Sequence, residues 1–153
     1  MKIEVVERPA LPLASVRHVG SYMRINEAFQ RLNDLVTKAG LSNPDTKLVG
    51  IYHDDPSTTP EEKLRSDAAI TIPAKTRLPR GLTELTIQAG RYAHTTHLGP
   101  YTGLGDAWNH LRNEWLQKNK EKLGKGMSYE VYRNTPMNAK ADELVTDLYL
   151  SLQ

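Results

Sequence analysis

The chain predicts an α+β fold: a duplicated ββαββ module forming an antiparallel eight-stranded sheet, with two long helices on one side and a ligand groove between the copies. Three observations predict it. Segments recur at a near-constant spacing, two stretches carry a helical apolar stripe, and short runs between them have β-strand composition.

The recurrence is the strongest of these. His18, Gly20 and Tyr22, followed by Ala28, Phe29 and Leu32, return 79 residues on as His97, Gly99 and Tyr101, followed by Ala107, Trp108 and Leu111. Further along, Ile51, Tyr52, Pro56, Leu64, Asp67, Ile70 and Ile72 align with Val131, Tyr132, Pro136, Leu144, Asp147, Leu150 and Leu152 at a spacing of 80. A one-residue change in spacing across a loop is ordinary in a doubled module. The copies span about 1–73 and 82–153, joined by a linker over 74–81, inside a single domain of 1–153.

Each copy reads strand, strand, helix, strand, strand. The first helix, about Tyr22 to Ala39, places Ile25, Ala28, Phe29, Leu32, Leu35, Val36 and Ala39 on one face, and Gly40 stops it. The second, about Gly103 to Lys118, repeats the stripe with Leu104, Ala107, Trp108, Leu111 and Trp115. Glu114 stands where the first stripe has Leu35, as a solvent-edge carboxylate or a group on a cleft. Strands are expected at Ile3 to Glu7, Leu13 to Val19, Leu48 to Tyr52, Ala68 to Ile72, Leu85 to Gln88, Tyr92 to Leu98, Tyr129 to Tyr132 and Val145 to Leu152. Thr59, Pro60 and Glu62 form a capping-box pattern that opens a short helix.

Composition excludes several classes. Lys+Arg 20 against Asp+Glu 18 leaves a formal charge of +2, far from a strongly basic nucleic-acid binder. The absence of cysteine removes disulfides, thiolate nucleophiles and zinc–thiolate sites. No apolar run approaches roughly 18 residues, and Met1, Lys2, Ile3 and Glu4 lack the basic-then-apolar pattern of a signal peptide, so a soluble cytoplasmic protein without a membrane partner is expected. The two copies leave no room for a separate DNA-reading module.

No metal or cofactor is expected. His94 and His97 stand three apart on a strand and face opposite sides, while His18 and His97 read as a repeated structural feature before a glycine. No nucleophile elbow, phosphate-binding loop or dinucleotide fingerprint is present. Lys118, Lys120, Lys122 and Lys125 suit a solvated helix C-terminus, or a contact patch for a partner.

The seam between copies is the expected cleft. Alternation puts Glu130 and Tyr132 on one strand face; the aligned positions in the first copy are Gly50 and Tyr52. One wall would supply charge and the other space. A carboxylate among aromatic rings either rises in pKa or attracts a cation, and phenol faces add cation–π attraction. The alternative for Glu130 is an exposed strand residue. Tyr22, Tyr52, Tyr101, Tyr132 and Tyr149 join Glu130 as candidate ligand-binding residues; Trp108 packs in the core or walls the cleft.

Gly50 to Pro56, Thr59 to Asp67, Ile72-Pro73, Gly90 to Ala93, and Tyr129 to Tyr132 with Asn134 resemble the GyrI-like small-molecule-binding family over essentially the whole chain. That family includes standalone bacterial DNA gyrase inhibitors and the effector-binding domains of AraC-type and MerR-type multidrug regulators. The resemblance implies an aromatic-lined groove between the copies with a key glutamate at Glu130, and small lipophilic, often cationic ligands. Three functions are weighed. The first is ligand capture in a cytoplasmic stress or toxin response. The second is hydrolysis of strained cyclopropane-type toxins, with Glu130 as catalytic acid or base. The third is direct protein inhibition of DNA gyrase, with the Lys118 to Lys125 cluster as a contact surface.

Overall fold

The computed structural model describes residues 1–153 and divides the chain into two compact units: Leu11–Ile87, and Met1–Ala10 with Gln88–Gln153. Each holds four antiparallel strands and one helical layer.

In the Leu11–Ile87 unit the strands are β2 (Leu11–Val19), β3 (Leu48–Tyr52), β4 (Arg65–Thr71) and β5 (Thr83–Ile87), in the spatial order β3-β4-β2-β5. Helix α1 (Asn26–Ala39) buries Ala28, Leu32 and Val36 against Ala14, Val16, Ala68 and Ile70 of the sheet. These are alternate residues of β2 and β4, so one sheet face meets the apolar stripe of the helix. The helix stops at Gly40, whose left-handed backbone (φ 65°) brings its amide to the Thr37 carbonyl and the Leu41 amide to that of Val36.

The other unit contains β1 (Glu4–Arg8), β6 (Gly90–Leu98), β7 (Tyr129–Tyr132) and β8 (Val145–Ser151), in the order β1-β6-β8-β7. Ala107 and Leu111 pack on Ala93, Leu148, Leu150 and Leu152. The helical layer here is not uniform: α2 (Leu104–Asn109) passes into a π-helical stretch, His110–Trp115, and ends as α3 (Leu116–Lys118). Glu114, within that stretch, is exposed and accepts from the His110 Nδ1–H at 2.7 Å, which places it at the solvent edge. No helix is long and apolar enough to cross a membrane.

The copies read along the chain are not the units read in space. β1 pairs with β6, from Glu4↔His94 to Arg8↔Gly90, and β5 pairs with β2, from Leu11↔Ile87 to Ser15↔Thr83. Each opening strand therefore completes the sheet built by the other half of the sequence.

Two local expectations are corrected. The Thr59 capping box does not form: the turn is a single 3-10 turn, Glu61–Lys63, capped by Pro60 with no side-chain hydrogen bond. The Thr59 amide is already bound to the Asp55 carbonyl, and Leu64, 4% exposed, turns extended to enter the core, which ends the helix after one turn. β4 also begins three residues earlier than expected, at Arg65, because its polar residues have partners inside the fold. Buried Asp67 accepts from Arg17 Nε at 3.1 Å and from His53. Its counterpart, Asp147, accepts from Arg133 Nε at 2.6 Å, Thr96 Oγ1 at 2.8 Å and His94 Nε2 at 3.0 Å.

Burial alone would raise both aspartic acids, but the hydrogen bonds from His53 and Arg17, and from Arg133, His94 and Thr96, hold them below the ordinary carboxylate value. A depressed folded-state pKa contributes stability above the unfolded-state value and loses it as pH falls through the folded one. The urea midpoint should therefore stay level down to about pH 5 and fall below about pH 4. The double variant Asp67→Asn, Asp147→Asn should show a shallower fall; an equally steep one would remove these groups from the acid response.

Candidate functional site

The structure gathers three of the residues singled out from the sequence around a fourth, the Glu130 carboxylate. Glu130 and Tyr132 leave the same face of β7, opposite Leu148 and Thr146 of β8, and this is the face that carries the helical layer. Trp108 reaches it from α2. Its indole Nε1–H donates to Glu130 Oε2 at 2.8 Å, and the Tyr132 hydroxyl donates to Oε1 at 2.7 Å. The two oxygens are thus held by two different donors. Glu130 is 2% exposed, so this carboxylate lies inside the fold and not in bulk water.

The Tyr101 ring meets Tyr132 edge-on, with centroids 5.7 Å apart and an interplanar angle of 61°. Burial, and after it the negative charge of Glu130, pushes the Tyr101 phenol above the usual tyrosine range. The Arg112 guanidinium lies over the Trp108 ring, its Cζ 5.4 Å from the ring centroid. A rigid buried anion bounded by Trp108, Tyr132 and Tyr101 can attract a positive centre by charge and by ring faces together.

The matching positions of the Leu11–Ile87 unit hold Tyr22, Phe29, Gly50 and Tyr52. Tyr22 and Tyr52 contact edge-on at 4.9 Å and 72°. The Tyr22 hydroxyl accepts from the Asp54 amide at 2.9 Å and lies 2.7 Å from the Asp54 carbonyl and 3.1 Å from that of Arg65. Here the strand offers Gly50 where the other unit has an acid.

Tyr149 lies elsewhere. It is in register with Tyr129, on the β7–β8 face opposite Glu130, and stacks at 4.7 Å on both Tyr129 and His94. The Arg8 guanidinium sits 4.6 Å from its centroid and Arg8 Nε donates to the Tyr129 hydroxyl at 3.3 Å. Sequence reasoning passed over Arg8 because its partner is 121 residues away. It also passed over Thr146, fully buried opposite Tyr132, whose Oγ1 has no hydrogen-bond partner; Ser66 repeats this opposite Tyr52. The signal was present in the paired spacing of these two residues, but a small hydroxyl in a strand carries no mark of its burial. The histidines of the repeated motif act structurally: the Nε2–H groups of His18 and His97 each donate at 2.9 Å to a carbonyl three residues on, Ser21 and Pro100.

Known proteins share this architecture. The chain is 28% identical over 159 aligned residues to a DNA gyrase inhibitor of Yersinia enterocolitica, covering 100% of this chain and 98% of that one. In structure it resembles the isolated EcmrR C-terminal domain, with a TM-score of 0.82, 19% identity, and coverage of 99% and 97%. It spans 57% of the EcmrR chain in an EcmrR–DNA complex, at a TM-score of 0.84 and 20% identity over 99% of this chain. SAV2435, in a structure bound to tetraphenylphosphonium, matches at a TM-score of 0.71 and 12% identity, with coverage of 100% and 94%. The profile of the GyrI-like small-molecule-binding domain matches residues 1–153. The chain therefore belongs, over its whole length, to the GyrI-like small-molecule-binding family.

Proposed function

We propose that the protein captures lipophilic cations at Glu130, with Tyr101, Trp108 and Tyr132 as aromatic walls, in a cytoplasmic stress or toxin response. One observation carries this reading: a carboxylate that is 2% exposed, with each oxygen fixed by a separate side-chain donor. A buried anion pre-oriented in this way loses little freedom when a guest arrives. Its charge acts across a low-dielectric gap and its aromatic neighbours favour a cation that is weakly hydrated. The family's small-molecule role and the tetraphenylphosphonium bound by SAV2435 support the same chemistry.

Two probes of like size and opposite sign test it. In isothermal titration, tetraphenylphosphonium should bind with a micromolar constant and tetraphenylborate at least about 30-fold more weakly. Equal binding of the two would leave only apolar contact and overturn the anchor. Should tetraphenylphosphonium fail to bind while the unliganded protein inhibits supercoiling by DNA gyrase, direct gyrase inhibition would replace ligand capture as the function.

A further inference from the structure

We propose that Tyr101 is the gate of the Glu130 site and decides which cations are admitted, an inference that rests on the binding role of Glu130. The argument is a difference between two matching turns. In the first, Gly20 to Asn26, the tyrosine is tied down: the Tyr22 hydroxyl takes part in contacts with the Asp54 amide and with the Asp54 and Arg65 carbonyls. The turn is also capped, because the Met23 amide donates to Ser21 Oγ at 3.2 Å.

The second turn, Gly99 to Gly105, has lost both devices. Pro100 stands where Ser21 does and offers no side-chain cap. The Tyr101 hydroxyl makes no hydrogen bond: the Asn134 backbone, at the position matching Asp54, is not engaged by it, and the Asn134 side chain instead accepts from the Val145 amide at 2.8 Å and donates to the Glu143 carbonyl at 2.9 Å. Tyr101 is accordingly 37% exposed, whereas Glu130 behind it is 2% exposed.

The glycines sharpen the contrast. Gly103 has a steric reason, because a Cβ there would lie 2.7 Å from the His97 ring. Gly105, in the first turn of α2, has none: a Cβ would meet nothing within 4 Å. Glycine at such a position lowers helix stability without relieving any contact, and leaves the junction between the turn and α2 easy to bend. The Tyr101 ring, which meets Tyr132 edge-on and makes no hydrogen bond, stands on a turn with no side-chain cap beside a soft hinge, and is the movable wall of the site.

Stopped-flow mixing of the protein with tetraphenylphosphonium, followed by tryptophan fluorescence, tests the gate. If the site is closed most of the time, the apparent association rate scales with the open fraction. Tyr101→Ala should then raise that rate about tenfold, and Gly105→Ala, which stiffens the hinge without a clash, should lower it about threefold. Unchanged association rates in both variants, with binding still dependent on Glu130, would overturn the gate and leave the anchor standing. Binding that is equally strong in Glu130→Gln would remove the anchor itself, whatever the rates do.

Discussion

Glu130→Gln is expected to weaken tetraphenylphosphonium binding about 100-fold, which corresponds to about 2.7 kcal/mol. The substitution keeps shape and removes charge. The glutamine oxygen can accept from Trp108, whose indole can only donate, and the Tyr132 hydroxyl can rotate to accept from the new amide group, so these two hydrogen bonds remain possible. Folding stability should therefore change by no more than about 1 kcal/mol, and the loss of affinity can be assigned to charge. Because the wild-type carboxylate is buried, its attraction should be little screened: raising salt from about 50 to 500 mM should alter wild-type affinity by less than about threefold. A steep salt dependence would place the interaction at the surface and contradict the assignment. Calorimetry on both proteins, with urea unfolding as the folding control, measures each arm.

Leu111→Ala is expected to lower stability by about 3 kcal/mol and the melting temperature by about 10 °C. Leu111 is fully buried and lies in the π-helical stretch, where it packs with Ala107 on Ala93, Leu148 and Leu150. Truncation there removes a large apolar side chain from a sheet-facing position flanked by a backbone that already departs from the regular helix, and the cavity has little to fill it. Since the same helical layer carries Trp108, the variant should also loosen the Glu130 cluster. Met137→Ala, at a side chain 97% exposed, should cost less than about 0.5 kcal/mol. A Leu111 variant as stable as the Met137 one would mean that the helix does not depend on this contact.

The sequence made some of this legible and concealed the rest for identifiable reasons. Leu48 to Tyr52 and Tyr129 to Tyr132 are short aromatic and branched runs between turns, and β3 and β7 have those bounds. The start of β4 was hidden because Arg65, Ser66 and Asp67 are polar, and their place in a strand depends on Arg17 and His53, which no local pattern reveals. The π-helical stretch is not readable from an apolar stripe that follows the first helix at Leu104, Ala107, Trp108, Leu111 and Trp115 and departs from it at Glu114. Strand alternation was enough to put Glu130 and Tyr132 on one face. The indole that donates to the carboxylate comes from a helix 22 residues earlier, and reading that contact requires the packing of helix on sheet. Tyr149 shows the converse: its residue type fits an aromatic wall, but its register with Tyr129 commits it to the other face.

The partnership of β1 with β6 and of β5 with β2 bears on how such a chain could arise. A polypeptide of half this length would lack a complete sheet unless two molecules lent each other their leading segments. Its smallest whole form would be a reciprocal dimer, whose assembly depends on concentration. Joining the two through a short tether makes the loan internal, at an effective concentration set by the connector and independent of how much protein is present. It also lets one half keep glycine at position 50 while the other acquires an acid at position 130, a division of labour that identical subunits cannot make.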